Sequence, residues 1–411
     1  MSPDGILLAI IVIAVIAFLF EEILEVLNLR YGNRELPAEI AEFYDREKYN
    51  QSIEYHRELT RFGFLTSTLG FVGSMAMLVF GGFGVIDRVL RSWTEEPVLL
   101  ALSFFGVLML ATDLLTLPFQ WYSTFVIEQK YGFNKMTVRT FITDKLKGYV
   151  LTALIGGLLF FLFMKLLNWL GSDFWIWFGL IAAAFILFVN LFYTSLLLPL
   201  FNKLTPLPDG ELKTEIEAFA RKIKFPLDNI MVIDGSKRST KANAFFSGIG
   251  ARKKIILYDT LIKNHSTSEL VAVLAHEVGH YKKNHIVWNY FLSIAQVFFT
   301  LFILSKMILD TNLSLALGGS GLAIHLNLLA FGMLYSPISA ITGLLMSMYS
   351  RKNEFEADAF AREFYNGKAL AGALKKLSAD NLSNLYPHPA YVFFHYSHPP
   401  LLTRLAALDQ K

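Results

Sequence analysis

The sequence predicts a mainly α membrane protein: seven spanning helices and a water-exposed domain, with a small β component, split by the last two spans. Three observations carry this prediction. Of 411 residues, 54% are hydrophobic and 17% charged, with a mean hydropathy of +0.45; soluble domains carry about a quarter charged residues. The apolar residues gather in seven segments of spanning length, 5–20, 62–86, 98–120, 149–170, 174–200, 286–308 and 322–349. The basic residues alternate between connections: 6 Lys/Arg in 21–61, 5 in 121–148, 14 in 201–285 and 8 in 350–411, against only Arg88 and Arg91 on the other side. This positive-inside pattern places the N-terminus outside or in the lumen and the C-terminus in the cytosol, and an even number of spans would break it.

The first segment is short, but it follows Met-Ser-Pro-Asp-Gly, which has no basic residue, and ends at Glu21-Glu22 instead of a small-residue cleavage site. It therefore reads as a retained helix and not as a signal peptide. Lys165 and Lys306 lie towards the outer ends of their spans, where they can snorkel. Asp113 and Asn190 are costly in lipid and are expected to face a chamber or a partner helix. Glu128, in a cytosolic loop, is a candidate anchor for that loop. The chain divides into spans one to five (1–200), an exposed segment (201–285), spans six and seven (286–349) and an exposed tail (350–411). Neither exposed segment buries a generous core alone, so the two are expected to pack as one split domain. Within the first, Leu212, Ile216, Phe219 and Ile223 have helical spacing, and 229–233 and 254–258 are β-branched runs that read as strands. Pro226 and Asp234-Gly235 mark turns.

Chemistry concentrates at His276-Glu277-Val278-Gly279-His280. Ser266-Thr-Ser-Glu269 forms a capping box that starts a helix here. On a helix, His276 and His280 share a face and can bind one metal ion, while Glu277 stays free as general base. The chain has no cysteine. Disulfides, thiol catalysis and cysteine-ligated zinc are excluded, so a metal site must use histidine and carboxylate. Two histidines and a carboxylate suit one zinc ion per chain. The net charge of +3 gives no case for nucleic acid binding. The third ligand is sought in Arg351-Lys-Asn-Glu-Phe-Glu-Ala-Asp358. There Glu354 and Asp358 share a helix face, so one can ligate and the other can hold a ligand ring. The alternative is that both form surface pairs with Lys352 or Arg362. Glu356 points away from that face. His285, nine residues after His276, faces away from it on an unbroken helix and reads as a membrane-boundary residue; His325 and His395 read as hydrogen-bonded packing residues.

The chain resembles the type I CAAX prenyl proteases, integral-membrane zinc metalloproteases. The resemblance rests on the His276–His280 motif, Asn353-Glu-Phe-Glu-Ala-Asp-Ala-Phe360, Phe125-Val-Ile-Glu-Gln-Lys-Tyr-Gly-Phe-Asn134, Gly235-Ser-Lys-Arg-Ser239, Asn243-Ala-Phe-Phe-Ser-Gly248 and Tyr396-Ser-His-Pro-Pro-Leu-Leu402. It implies a zincin-like domain capping seven helices that surround a water-filled chamber. It implies His276, His280 and Glu354 as zinc ligands, Glu277 as general base and Asp358 behind the ligands. His398 would hold the substrate carbonyl or its oxyanion, Arg404 would support the shell or bind substrate, and Asn243 would lie where a peptide pairs as an added strand. Ala242 departs from the family, where a more polar residue is expected. The implied activity removes the last three residues of prenylated CAAX proteins or peptides at the cytosolic surface. The membrane would be the endoplasmic reticulum in a eukaryote and the cytoplasmic membrane in a bacterium. Two rival readings are a membrane quality-control metalloprotease and a seven-span transporter or receptor with structural zinc. Oligomeric state is left open.

Overall fold

A span in lipid must satisfy its own backbone hydrogen bonds, so apolar stretches of this length become helices. The computed structural model describes residues 1–32, 34–227, 229–247 and 254–409; Gly248 of the Asn243–Gly248 stretch lies outside them. Among the described residues, six helical stretches have membrane-spanning length and composition: Pro3–Tyr31, Arg46–Val79, Pro97–Lys130, Val138–Leu200, His285–Met307 and Ile324–Asp380. Six stretches make seven passes. The fourth is 63 residues long; unbent, at 1.5 Å per residue, it would reach about 95 Å, three times a bilayer core. It folds back at Gly171, whose φ is +57°, so that the Phe163 ring lies 5.0 Å from Phe174 and 5.3 Å from Phe178.

The first helix runs through Glu21-Glu22 to Tyr31, capped by the Ser2 hydroxyl, which accepts from the Gly5 N–H at 3.2 Å. The last span does not stop at 349. One 38-residue helix, Ile324–Ala361, carries the chain from the membrane into the exposed domain without a break. Of the two polar residues expected to face a chamber or a partner helix, Asn190 is exposed and donates to the Ile186 carbonyl of its own helix at 2.8 Å. Asp113 pairs with Lys145 at 2.6 Å and also accepts from Tyr149 and Gln120. Buried His325 bonds Asp87 at 2.7 Å.

The exposed domain has a four-stranded sheet of β1 (Leu204–Pro206), β2 (Asn229–Ile233), β3 (Ala244–Ser247) and β4 (Lys254–Tyr258) in the order β1-β2-β4-β3. β2 and β4 are parallel, and β3 is an antiparallel edge strand on β4. Sequence reading missed β1 and β3, which are three and four residues long and too short for alternation to register. Ile255, Ile256 and Leu257 of β4 are all buried, as in a strand covered on both faces. Ile255 and Leu257 join a core with Leu270, Val271 and Leu274 of the motif helix Thr267–Lys282 and with Phe360, Leu370 and Ala373 from beyond the last span. The motif helix begins with both halves of the Ser266–Glu269 capping box.

The approach to β3 is fastened to the membrane helices. Arg238 donates to Asp144 at 2.8 and 3.1 Å, and Asn134 bridges Ser239. Lys241 meets Glu128 at 3.0 Å and the Tyr55 hydroxyl at 2.9 Å.

Gly279 decides how closely the motif helix meets Ile324–Ala361. A Cβ there would lie 3.0 Å from Ala357 Cα and from Phe360 Cβ, and 3.1 Å from the Ala357 carbonyl oxygen. Alanine would regain about 1 kcal/mol of helix propensity, but overpacking costs about 1–3 kcal/mol. Gly279→Val is expected to lower the thermal unfolding midpoint of the detergent-solubilised protein and its zinc content together, with Gly279→Ala nearer to wild type. Full zinc loading in the valine variant would contradict this account of the crossing.

Candidate metal centre

The crossing at Gly279 brings four side chains together. His276 and His280 project from one face of the motif helix. Glu354 and Asp358, one turn apart on the long helix, project from the other side. His276 Nε2 and His280 Nε2 are 3.2 Å apart; Glu354 Oε2 lies 3.5 Å from the first and Glu354 Oε1 3.3 Å from the second. Tetrahedral zinc with bonds of about 2.0–2.1 Å holds its donors roughly 3.3–3.4 Å apart, so this triangle has the dimensions of a zinc site. A second feature fits the same ion: Glu354 Oε2 is buried with no hydrogen bond and only the longer contacts to His276 Nε2 at 3.5 Å and Arg404 Nη1 at 3.4 Å, which leaves it room for a metal bond.

Asp358 takes the other role open to the pair. It lies 2.8 Å from His276 Nδ1, on the far side of the ring from the donor triangle. Arg404 holds Asp358 in a fork, donating from Nε at 2.8 Å and Nη2 at 2.6 Å, and lies 3.4 Å from Glu354 Oε2. Burial opposes charge on His276, but hydrogen bonds to Asp358 and Glu354 prevail and raise its pKa to about 9. Glu277, beside the triangle and partly exposed, has no hydrogen-bond partner among the described residues. Burial pushes its carboxyl above the usual carboxylate range.

The remaining expected residues surround this group. His398 stands exposed, with Nε2 3.2 Å from Glu354 Oε1 and Nδ1 2.9 Å from the Ser397 hydroxyl. Desolvation holds it below the ordinary imidazole value, partly opposed by Glu354. Asn243 is exposed immediately before edge strand β3, and its carbonyl accepts from the Tyr258 N–H at 3.1 Å. Ala242, the departure from the family pattern, is buried, with its N–H on Asn381.

The orientation expected of His285 is corrected. The motif helix ends at Lys282, and Asn284 takes a left-handed conformation with φ 60°. The chain therefore turns, and buried His285 lies 3.1 Å from His280 Nδ1. Glu356 leaves the Glu354–Asp358 face as expected, but reaches His285 Nε2 at 3.2 Å. The signal was present in the sequence: Lys282-Lys-Asn284 is a helix C-terminal signature, with Asn suited to the left-handed position.

Because His276 must be neutral to ligate, metal uptake at pH 7 is expected to displace about one proton from a group whose pKa is raised to about 9. Apparent zinc affinity should fall about tenfold per pH unit below that value. Calorimetric zinc titrations in buffers of different ionisation enthalpy measure the proton count; heats independent of the buffer would contradict the coupling.

Comparison with known proteins agrees with this geometry. Residues 25–203 match the model of the CAAX prenyl protease N-terminal region, described as five membrane helices, and residues 206–411 match peptidase family M48. The chain is similar to CAAX prenyl protease 1 of Saccharomyces cerevisiae, at 34% identity over 92% of this chain and 90% of the relative. It is similar to the human CAAX prenyl protease 1 homolog at 32% identity, covering 91% and 88%. The crystal structure of S. mikatae Ste24p superimposes with a TM-score of 0.93 at 33% identity, over 98% of this chain and 99% of that one. A chain with this fold, this donor set and these relatives belongs to peptidase family M48, as a multi-pass membrane zinc metalloprotease.

Proposed function

We propose that this protease cleaves prenylated CAAX proteins or peptides, removing their last three residues at the cytosolic face of its membrane. The donor triangle beside an unpartnered Glu277 carries the catalytic part of the reading. The substrate class follows relatives named CAAX prenyl protease 1. His276, His280 and Glu354 hold zinc. When bound, zinc polarises the scissile carbonyl and lowers the pKa of a water molecule towards neutrality. Glu277 takes the proton from the attacking water and delivers it to the leaving amine; its raised pKa suits both transfers. His398, kept neutral, donates from Nε2 to the developing oxyanion. Asp358, held in place by Arg404, accepts the His276 Nδ1 proton and leaves Nε2 for the metal.

The substrate backbone pairs with the open edge of β3, starting at Asn243, as an added strand. Residues 201–285 and 350–411 act as one catalytic unit interrupted by two spans. The basic residues of the exposed segments support a cytosolic catalytic face, on the endoplasmic reticulum of a eukaryote or the cytoplasmic membrane of a bacterium.

Purified wild-type protein should cleave a farnesylated CAAX peptide, and Glu277→Gln should lose cleavage by several orders of magnitude with zinc content unchanged. Equal cleavage by both would sink the role of Glu277. Zinc-loaded wild type that leaves this peptide intact but degrades unfolded membrane proteins would move the reading to quality control.

The fastening of the strand approach makes a separate prediction. A charge-assisted hydrogen bond contributes about 1.5–3 kcal/mol, so Lys241→Ala should raise KM about tenfold or more. Its kcat and zinc content should stay near wild type; a fall in kcat alone would refute the assignment.

A further inference from the structure

We propose that His285 is a positioning residue that fixes the proton of His280, and that Glu356 in turn fixes His285. This rests on the metal-centre reading above. The three groups form one chain: His280 Nδ1 is 3.1 Å from His285 Nδ1, and His285 Nε2 is 3.2 Å from Glu356 Oε2. A neutral imidazole has one N–H and one lone pair. A carboxylate oxygen accepts, so with Glu356 3.2 Å away the His285 proton sits on Nε2 and its Nδ1 lone pair faces His280. His280 must then carry its proton on Nδ1, and its Nε2 lone pair points into the donor triangle.

The reverse arrangement blocks the site. A proton on His285 Nδ1 would face the Nδ1 lone pair of His280. That would move the His280 proton to Nε2, 3.3 Å from Glu354 Oε1 and in the metal's place. The carboxylate at the far end selects against this state. His276 has the matching arrangement in shorter form, with Asp358 directly on its Nδ1 at 2.8 Å. Each ligand histidine therefore has a carboxylate behind it, one direct and one through His285.

The local fold supports the chain. On a continuous helix, five residues of advance would turn His285 about 140° from His280. The left-handed Asn284 breaks the helix and returns the ring, so that the two centroids are 5.2 Å apart and His285 is 3% exposed. Glu356 is half-exposed and its other ionic neighbour is Lys352, at 3.8 Å on the surface.

The test measures zinc affinity of the full-length detergent-solubilised protein by chelator competition, with the unfolding midpoint of each metal-free variant as a fold control. His285→Phe should bind zinc about 10–100-fold more weakly, as for other outer-shell partners. His285→Gln should recover most of the loss, because its amide oxygen accepts from His280 and its NH2 donates to Glu356. Glu356→Leu should also weaken zinc, and the visible bands of the cobalt-loaded protein should shift in His285→Phe. His285→Phe with wild-type affinity would overturn the proposal, as would His285→Gln as weak as His285→Phe. If His285→Phe does not fold, Glu356→Leu decides, and unchanged zinc affinity there overturns it. Wild-type protein that takes up no zinc would overturn the metal-centre reading itself, a result distinguishable from failure of the relay alone.

Discussion

The catalytic centre depends on one close helix crossing. The motif helix supplies the two histidines and the long helix Ile324–Ala361 supplies the carboxylates. A donor triangle of 3.2–3.5 Å closes only if the two backbones nearly touch. Gly279 permits that contact against Ala357, which lies three residues beyond Glu354 and one before Asp358. The crossing therefore sets both the spacing of the donors and the choice between the two acids. Glu354 reaches both Nε2 atoms, while Asp358, one turn on, meets only the back of His276. The glycine weakens its own helix, and the packing it allows outweighs that loss.

Charge explains the rest of the centre. Glu277, Glu354 and Asp358 ionised, with Arg404 charged and both ligand histidines neutral, leave a net charge of −2 in a largely buried space. A divalent cation closes that balance. Without one, protons take part of its place: His276 holds a proton up to about 9, and the Glu277 carboxyl is raised. Proton-linked zinc binding follows from this excess of negative charge, whereas burial is what raises the Glu277 carboxyl. Arg404 offsets part of the excess, bonded twice to Asp358 and 3.4 Å from Glu354 Oε2.

Much of this was legible in the sequence because it is local. The histidine spacing, the Ser266–Glu269 cap and the alternation of lysine and arginine each act within a few residues or within one loop. What sequence left open was decided by contact between distant segments. Spacing could not choose between Glu354 and Asp358, because they are equivalent until the partner helix is in register. His285 was misplaced because periodicity assumes an unbroken helix, and one left-handed residue, Asn284, ended it. Strand β3 was missed because its formation depends on β4, with which it pairs. The continuation of the last span into the catalytic helix was hidden because the apolar pattern ends at 349 while the backbone hydrogen bonds do not.

That unbroken helix also fixes the height of the chemistry. Glu354 follows the last apolar residue, Tyr349, by five positions, about 7–8 Å along the axis. On the other side of the metal, His285 directly precedes the apolar run of the sixth span. Both halves of the donor set are thus tied to the ends of spans and cannot move far from the membrane surface without dragging a span through lipid. The approach to β3 is likewise fastened by Arg238 and Lys241, each bonded to residues of the membrane helices or their loops. The chemistry is thereby held close to the membrane surface.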